Sequence, residues 1–214
     1  MTGDKSKTLL IPELNETYHS KFGAITESRH IFIEHGLDHV KSNDIEIFEL
    51  GFGTGLNALL SYIYSVEKSI RIKYTAIEKY PLDYIEASLM DYPQQLDTPE
   101  TDDVLKKMHL APIQESTHLG DKFELYKYAG DFTKTSFPTS TFDLIYFDAF
   151  APKIQPELWT SEIFLKAAVM LKPGGKLVSY CAQGQFRRNL KAAGLKVERL
   201  PGPPGKREMT RATK

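Results

Sequence analysis

The chain has 214 residues, 41% hydrophobic and 26% charged, with a formal net charge of −1. That is the size and composition of one soluble domain with a real core; it excludes a disordered or fibrous chain, and no apolar run nears the roughly 20 residues of a membrane-spanning helix. A lone Cys181 excludes an internal disulfide, the six histidines are scattered so that no metal site is expected, and the polar start, Met1 to Lys7, reads as a cytoplasmic protein without a signal peptide.

Thr8 to Ile11 and His30 to Glu34 are β-branched and apolar around a polar stretch, which predicts an N-terminal hairpin or extension over residues 1–40, packed on the core. Residues 41–214 then alternate strands and helices. Ile45 to Leu50 reads as a buried strand ending in glycines, Leu56 to Val66 as a helix, Ile72 to Glu78 as a strand and Pro81 to Met90 as a helix with proline in its first turn. Residues 91–121 are polar, contain three prolines and exceed an ordinary connection. They read either as a helical insertion over the active site or as a surface excursion. Strands follow at Phe123 to Tyr128 and Phe142 to Phe147, then a helix from Trp159 to Leu171 stopped by Lys172-Pro-Gly-Gly175. Lys176 to Cys181 is a strand, Gln185 to Ala193 a helix, and Leu195 to Leu200 and Glu208 to Ala212 are the last strands. This order predicts an α/β fold, Rossmann-like, with a mostly parallel seven-stranded sheet and a ligand at the carboxyl ends of its strands.

The strongest motif is Glu49-Leu-Gly51-Phe-Gly53-Thr-Gly55-Leu-Asn57, between a strand and a helix. Its glycines permit a tight turn and close approach of a ligand to the backbone. A dinucleotide fingerprint needs glycine where Leu56 stands. The pattern E-x-G-x-G-x-G instead resembles the first motif of Rossmann-like S-adenosylmethionine-dependent methyltransferases, in which an amino-acid tail lies on the loop. Glu78 ends the next strand, 23 residues after Gly55, where a carboxylate can accept both ribose hydroxyls. Asp131 follows the third strand and could receive an adenine amino group with Phe132 against the ring; taken singly, Asp131 reads equally as a cap or turn. Asp148, after the fourth strand, could hydrogen-bond an incoming amine and aim its lone pair at the methyl group, with Phe150 against the sulfonium. Asp148 is thus the candidate catalytic residue. The candidate cofactor set is Glu49, Gly51, Phe52, Gly53, Gly55 and Asn57 from the loop, with Glu78, Lys79, Asp131, Phe132, Asp148 and Phe150 from later strand ends.

From about Tyr18 onward the chain resembles the methyltransferase domain of the bifunctional bacterial tRNA 5-methylaminomethyl-2-thiouridine biosynthesis proteins and their single-domain relatives. The resemblance rests on Tyr18-His-Ser20, Glu27-Ser-Arg29, Phe48 to Asn57, Glu78-Lys-Tyr-Pro81 and Asp148-Ala-Phe-Ala-Pro-Lys153. It continues through Pro156-Glu-Leu-Trp-Thr160, Lys172-Pro-Gly-Gly175, Arg187-Arg188 and Lys206-Arg-Glu-Met209. It implies S-adenosylmethionine as cofactor and N-methylation of 5-aminomethyl(-2-thio)uridine at the tRNA wobble position, giving 5-methylaminomethyl(-2-thio)uridine. Ala149 follows Asp148 where the bifunctional members carry glycine. The chain ends shortly after Met209, without the flavin-dependent oxidase domain, so a separate enzyme is expected to supply the free amine.

The resemblance also implies a substrate side formed by Tyr18, Ser20, Glu27, Lys153, Trp159, Arg187, Arg188, Lys206 and Arg207, facing a tRNA anticodon loop. Residues 151–214 hold 13 Lys+Arg and 4 Asp+Glu, a charge of +9; the remainder holds 14 against 24, or −10. Either a basic face for a polyanion survives folding, or the two signs interleave. Trp159 reads either as a stacking platform for a flipped base or as a buried anchor. Three other functions compete: a small-molecule amine methyltransferase, a spermidine-synthase-like aminopropyltransferase, for which the basic carboxyl-terminal segment is a poor polyamine pocket, and a non-catalytic RNA-associated module.

Overall fold

Apolar side chains on both faces of the central strands call for a layer of helices on each side of the sheet. The computed structural model describes residues 23–214 and, before them, the backbone of 10–11 and 16–17. Strands β1 (Leu10–Ile11) and β2 (Glu16–Thr17) pair antiparallel, Leu10 opposite Thr17. The second half of the expected hairpin, His30 to Glu34, is not a strand. Helix α1 (Ala24–Ser28) runs directly into a wider π-helical segment, Arg29–Glu34. Ala24, Ser28 and Phe32 are buried at spacings of four, the period of a helix face, and this outweighs the β-branched content of so short a run.

The remaining strands form one eight-stranded sheet. They are β3 (Asp44–Leu50), β4 (Arg71–Glu78), β5 (Ser116–His118), β6 (Phe123–Ala129), β7 (Phe142–Phe147), β8 (Leu171–Ser179), β9 (Lys196–Pro201) and β10 (Glu208–Thr213). Their spatial order is β5-β6-β4-β3-β7-β8-β10-β9. Strands β6, β4, β3, β7 and β8 are parallel, and β10 runs antiparallel to both its neighbours. The seven expected strands are all present. The eighth, β5, is a three-residue polar edge strand antiparallel to β6, too short and too polar to give a periodic signal.

Helix α2 (Leu56–Lys68) joins β3 to β4. Between β4 and β5 lie α3 (Tyr84–Ser88), α4 (Tyr92–Gln95) and α5 (Asp102–Leu110). The helix expected from Pro81 starts instead at a capping box, Asp83 accepting from the Glu86 amide at 2.8 Å and Glu86 accepting from the Asp83 amide at 3.2 Å. Helix α6 (Ser161–Met170) is capped by Thr160, so Trp159 belongs to the preceding 3-10 turn, Pro156–Trp159; helix α7 (Gly184–Ala192) joins β8 to β9. Phe48, Ile145 and Phe147 face one apolar layer with Trp159, Phe164 and Phe186; Ile47, Tyr74 and Tyr146 face the other with Phe32. The chain leaves β3 first toward β4 and β6, and later returns on its other side with β7 and β8. That reversal opens a crevice at the carboxyl ends of β3, β4 and β7.

Candidate active site

At the end of β3 the backbone turns sharply into α2. Gly51 has φ +92°, and a Cβ there would sit 2.8 Å from the Asp148 carbonyl oxygen. Gly55 has φ +78° and forms the start of α2, with the His109 ring, Leu105 and Phe52 all within contact of a Cβ at that position. Only glycine allows both the backbone geometry and the closeness. His109, on α5, lies with Nε2 3.1 Å from the Thr54 carbonyl and Nδ1 3.4 Å from the Leu82 carbonyl, so it braces the loop from behind. Sequence reading passed over His109, which lies in a polar segment with no motif.

Asn57 is the hinge of the site. Its Nδ2 donates to Glu49 Oε1 at 2.9 Å and to Asp148 Oδ2 at 2.8 Å, so one amide bridges two acids from adjacent strand ends. Burial raises the Glu49 carboxyl well above the usual carboxylate range, and the Asp148 charge adds to the rise. Asp148 keeps some accessible surface but sits deep among the strand ends; burial pushes its pKa up to about 7, against the opposing effect of the Asn57 hydrogen bond. Glu49 Oε2 and Asn57 Oδ1 are buried acceptors with no hydrogen-bond donor, while the Tyr74 hydroxyl lies near Glu49 without completing a bond of good geometry. Acceptors of this kind, beside a turn that only glycine fits, suit the ammonium of an amino-acid tail.

Glu78 ends β4 with both oxygens occupied by backbone amides: Gly53 N to Oε2 at 3.0 Å and Tyr80 N to Oε1 at 2.9 Å. Each oxygen retains a second lone pair that could accept a ribose hydroxyl. Asp131 accepts from the amide and hydroxyl of Thr133 at 2.9 and 2.7 Å and pairs with Lys79 at 3.1 Å, contacts that hold its carboxyl down at about 2. It is a turn residue with local partners, and Lys79 is its counter-ion. Phe132, expected against an adenine ring, is instead buried against Phe48 and Phe137, with Lys166 Nζ 4.2 Å over its ring. Phe52 packs edge-on against His109. The Phe150 carbonyl accepts from Trp159 Nε1 at 2.9 Å and its amide donates to Gln155 Oε1 at 3.0 Å, fixing the loop after Asp148.

The residues expected to face substrate divide into three groups. Tyr18 and Ser20 lie outside the described residues. Trp159 and Arg187 are buried: Trp159 packs among Phe147, Phe164 and Phe186, and Arg187 donates to Glu208 at 2.7 Å, to Thr210 at 3.0 Å and to the Met209 carbonyl. These are corrections, because neither side chain is available to a base or a phosphate. Lys153, Arg188 and Arg207 are exposed. Glu27 and Lys206 form an ion pair, and Lys206 Nζ lies 4.5 Å over the ring of Tyr180. Tyr180, also passed over in the sequence, donates its hydroxyl to the Ala149 carbonyl at 2.8 Å. Its position just past the end of β8 was the available signal. His35 and His39 are four residues apart and their rings stack at 6.3 Å, but among the described residues no group of three His, Cys, Asp or Glu side chains could hold a metal.

A family model described as S-adenosyl-L-methionine-dependent methyltransferase matches residues 100–214, more than half of the chain. The chain belongs to this methyltransferase family. S-adenosylmethionine is accordingly its cofactor, and the glycine turn, the orphaned acceptors and Glu78 fit it. Among curated relatives, the bifunctional protein MnmC of tRNA 5-methylaminomethyl-2-thiouridine biosynthesis from Ectopseudomonas mendocina is 30% identical over 209 residues, covering 91% of this chain and 31% of the relative. The protein of the same name from Leptospira interrogans is 28% identical, covering 98% of this chain and 34% of its own length. The chain thus spans about a third of the length of the curated relatives it matches. The crystal structure of MnmC2 from Aquifex aeolicus superposes with a TM-score of 0.76 at 27% identity, covering 99% of this chain and 68% of that one. Spermidine synthase from Thermotoga maritima, at 14% identity and a TM-score of 0.57, shares the fold. No helix among the described residues is long and apolar enough to cross a membrane.

Proposed function

We propose that this methyltransferase methylates the 5-aminomethyl nitrogen of the wobble uridine in a tRNA anticodon loop in the cytoplasm, giving 5-methylaminomethyl(-2-thio)uridine. The observation that carries the reading is Asp148: a carboxylate at the strand switch point, with a pKa of about 7, joined by Asn57 to the cofactor loop. The relatives' tRNA-modifying role supplies the acceptor class.

Glu78 would hold the ribose of S-adenosylmethionine and Glu49 and Asn57 its amino-acid end; the cofactor would supply an electrophilic methyl group, whose bond to sulfur breaks as the new bond to nitrogen forms and leaves a neutral thioether. The chain's own residues prepare the acceptor. An alkylammonium has no lone pair to attack with, and its pKa resembles that of lysine, about 10.4. Asp148 as carboxylate accepts one N–H of the ammonium, orients it and takes its proton, and the freed nitrogen lone pair then forms the N–CH3 bond. A carboxyl poised near neutrality suits that exchange. Asn57 keeps Asp148 in register with the loop, so proximity and alignment contribute alongside proton transfer. The base leaves its stack at little cost in a single-stranded loop.

The test is methyl transfer into tRNA carrying unmethylated 5-aminomethyluridine, followed by nucleoside analysis. Formation of 5-methylaminomethyluridine at the wobble position is the expected result. Absence of transfer, or equal activity on the free nucleoside, would replace tRNA with a small-amine acceptor.

A further inference from the structure

Glu27 is bound through only one of its oxygens. Oε1 takes the Lys206 ammonium, while Oε2 is buried and receives no hydrogen bond. A buried carboxylate oxygen without a donor is costly and calls for an explanation. Its surroundings lead to the reaction centre. Lys206 lies 4.5 Å over the Tyr180 ring, and Tyr180 donates to the carbonyl of Ala149, the residue after Asp148. Glu27 comes from α1 and Lys206 from the loop before β10, so two segments distant in sequence converge on the end of β7.

We propose that Glu27 is a substrate-contacting residue whose free Oε2 accepts an N–H of the acceptor's alkylammonium group, making with Asp148 a two-carboxylate cradle selective for a primary amine. This rests on the amine-acceptor reading above and deepens it. An ammonium presents three N–H donors. Asp148 takes one as it removes the proton, Glu27 holds a second, and the nitrogen lone pair released faces the methyl group. Lys206 holds Glu27 in place through Oε1. The groups that act on Asp148 are Asn57 on α2, Glu27 on α1 and Lys206 beside Tyr180, while Asp148 in turn acts on Glu49 of β3 and Tyr74 of β4. Glu27 raises the Asp148 pKa and Lys206 lowers it.

Glu27→Gln keeps the shape and an acceptor for Lys206, but places an amide N–H where the free acceptor was. With aminomethyl-bearing tRNA, KM should rise on the order of tenfold, the scale of a lost hydrogen bond to a charged group. S-adenosylmethionine affinity, by calorimetry, should be unchanged. The acid limb of kcat/KM against pH should move to lower pH, since Asp148 loses a neighbouring negative charge. Lys206→Met should move that limb the opposite way, and this second variant answers the question even if the first fails to fold. An unchanged KM and pH profile in Glu27→Gln, shifts of the same sign in both variants, or a parallel loss of cofactor affinity would overturn the proposal. The wild-type protein separates the two readings: no transfer to aminomethyl tRNA refutes the acceptor assignment itself, whereas transfer with indifferent variants refutes only the role of Glu27.

Discussion

At pH 8 the Asp148 carboxyl is ionised in a place whose crowding pushes its pKa up to about 7. In the unfolded chain the same group titrates near 3.9. Below about pH 4 it is protonated in both states and burial costs little. Between about pH 4 and 7 the folded protein binds the extra proton, so stability falls as pH rises, and above about 7 the cost is complete. Asp148→Asn keeps the acceptor for Asn57 and removes the charge. We therefore expect it to raise the thermal midpoint by several degrees at pH 8, on the order of 2 kcal/mol, with no gain at pH 4. A gain that is equal at both pH values, or a loss at pH 8, would contradict the charge-burial account. Such a site holds stability in reserve for function. Glu49, raised by burial as well, slopes stability in the same direction.

Most of this residue-level arrangement was legible, but unevenly. Glu49, Glu78 and Asp148 sit at strand ends that apolar runs mark, with Asn57 in the first turn of the helix after the glycine loop, and strand ends are where such a sheet binds its ligand. Phe132 and Trp159 were harder to read, because an aromatic side chain beside a motif packs into the core as readily as it stacks on a ligand, and only the neighbouring aromatics decide. Arg187 and Arg188 are adjacent in sequence with opposite fates: one ties α7 to β10, the other is exposed and, among the described residues, its side chain bonds to Gln185.

At the scale of elements, α7 and β10 are joined by Arg187, which reaches Glu208, Thr210 and the Met209 carbonyl from the first turns of the helix. Truncating it would leave the buried Thr210 hydroxyl with one partner fewer and a cavity between helix and strand. Arg187→Ala should lower the thermal midpoint by several degrees while leaving the salt dependence of tRNA binding as it was; Arg188→Ala should do the reverse. A lowered salt slope in Arg187→Ala would return that residue to the RNA surface. The long strands were legible from continuous burial, whereas β5 was hidden by its length and the helical character of residues 24–34 by its β-branched composition. Helix α5 is a different case. Its packing on the glycine loop through Leu105 and His109 comes from tertiary closure across more than forty residues, which no local pattern reports.

Over the whole molecule, the charge asymmetry follows the sheet. Residues 151–214, with their charge of +9, supply β8, β9 and β10, the three strands on the side of the sheet beyond β7, which ends next to Asp148. Folding pairs several of these cations: Lys172 with Asp143, Arg211 with Glu198, Arg187 with Glu208 and Lys206 with Glu27. Lys153, Lys191 and Arg207 form no ion pair among the described residues and are exposed. Such charges suit phosphate contact, while the acids at the strand ends suit the cofactor and the amine. The central claim is that these two tasks divide at Asp148, which serves the acceptor and not cofactor affinity. The direct test is to measure, for Asp148→Ala, both S-adenosylmethionine affinity by calorimetry and the single-turnover rate on aminomethyl-bearing tRNA. The account predicts little change in affinity and a rate lower by roughly 10²–10⁴-fold, the range of a lost acid–base group; a fall in affinity that matches the fall in rate, or an unimpaired rate, would contradict it.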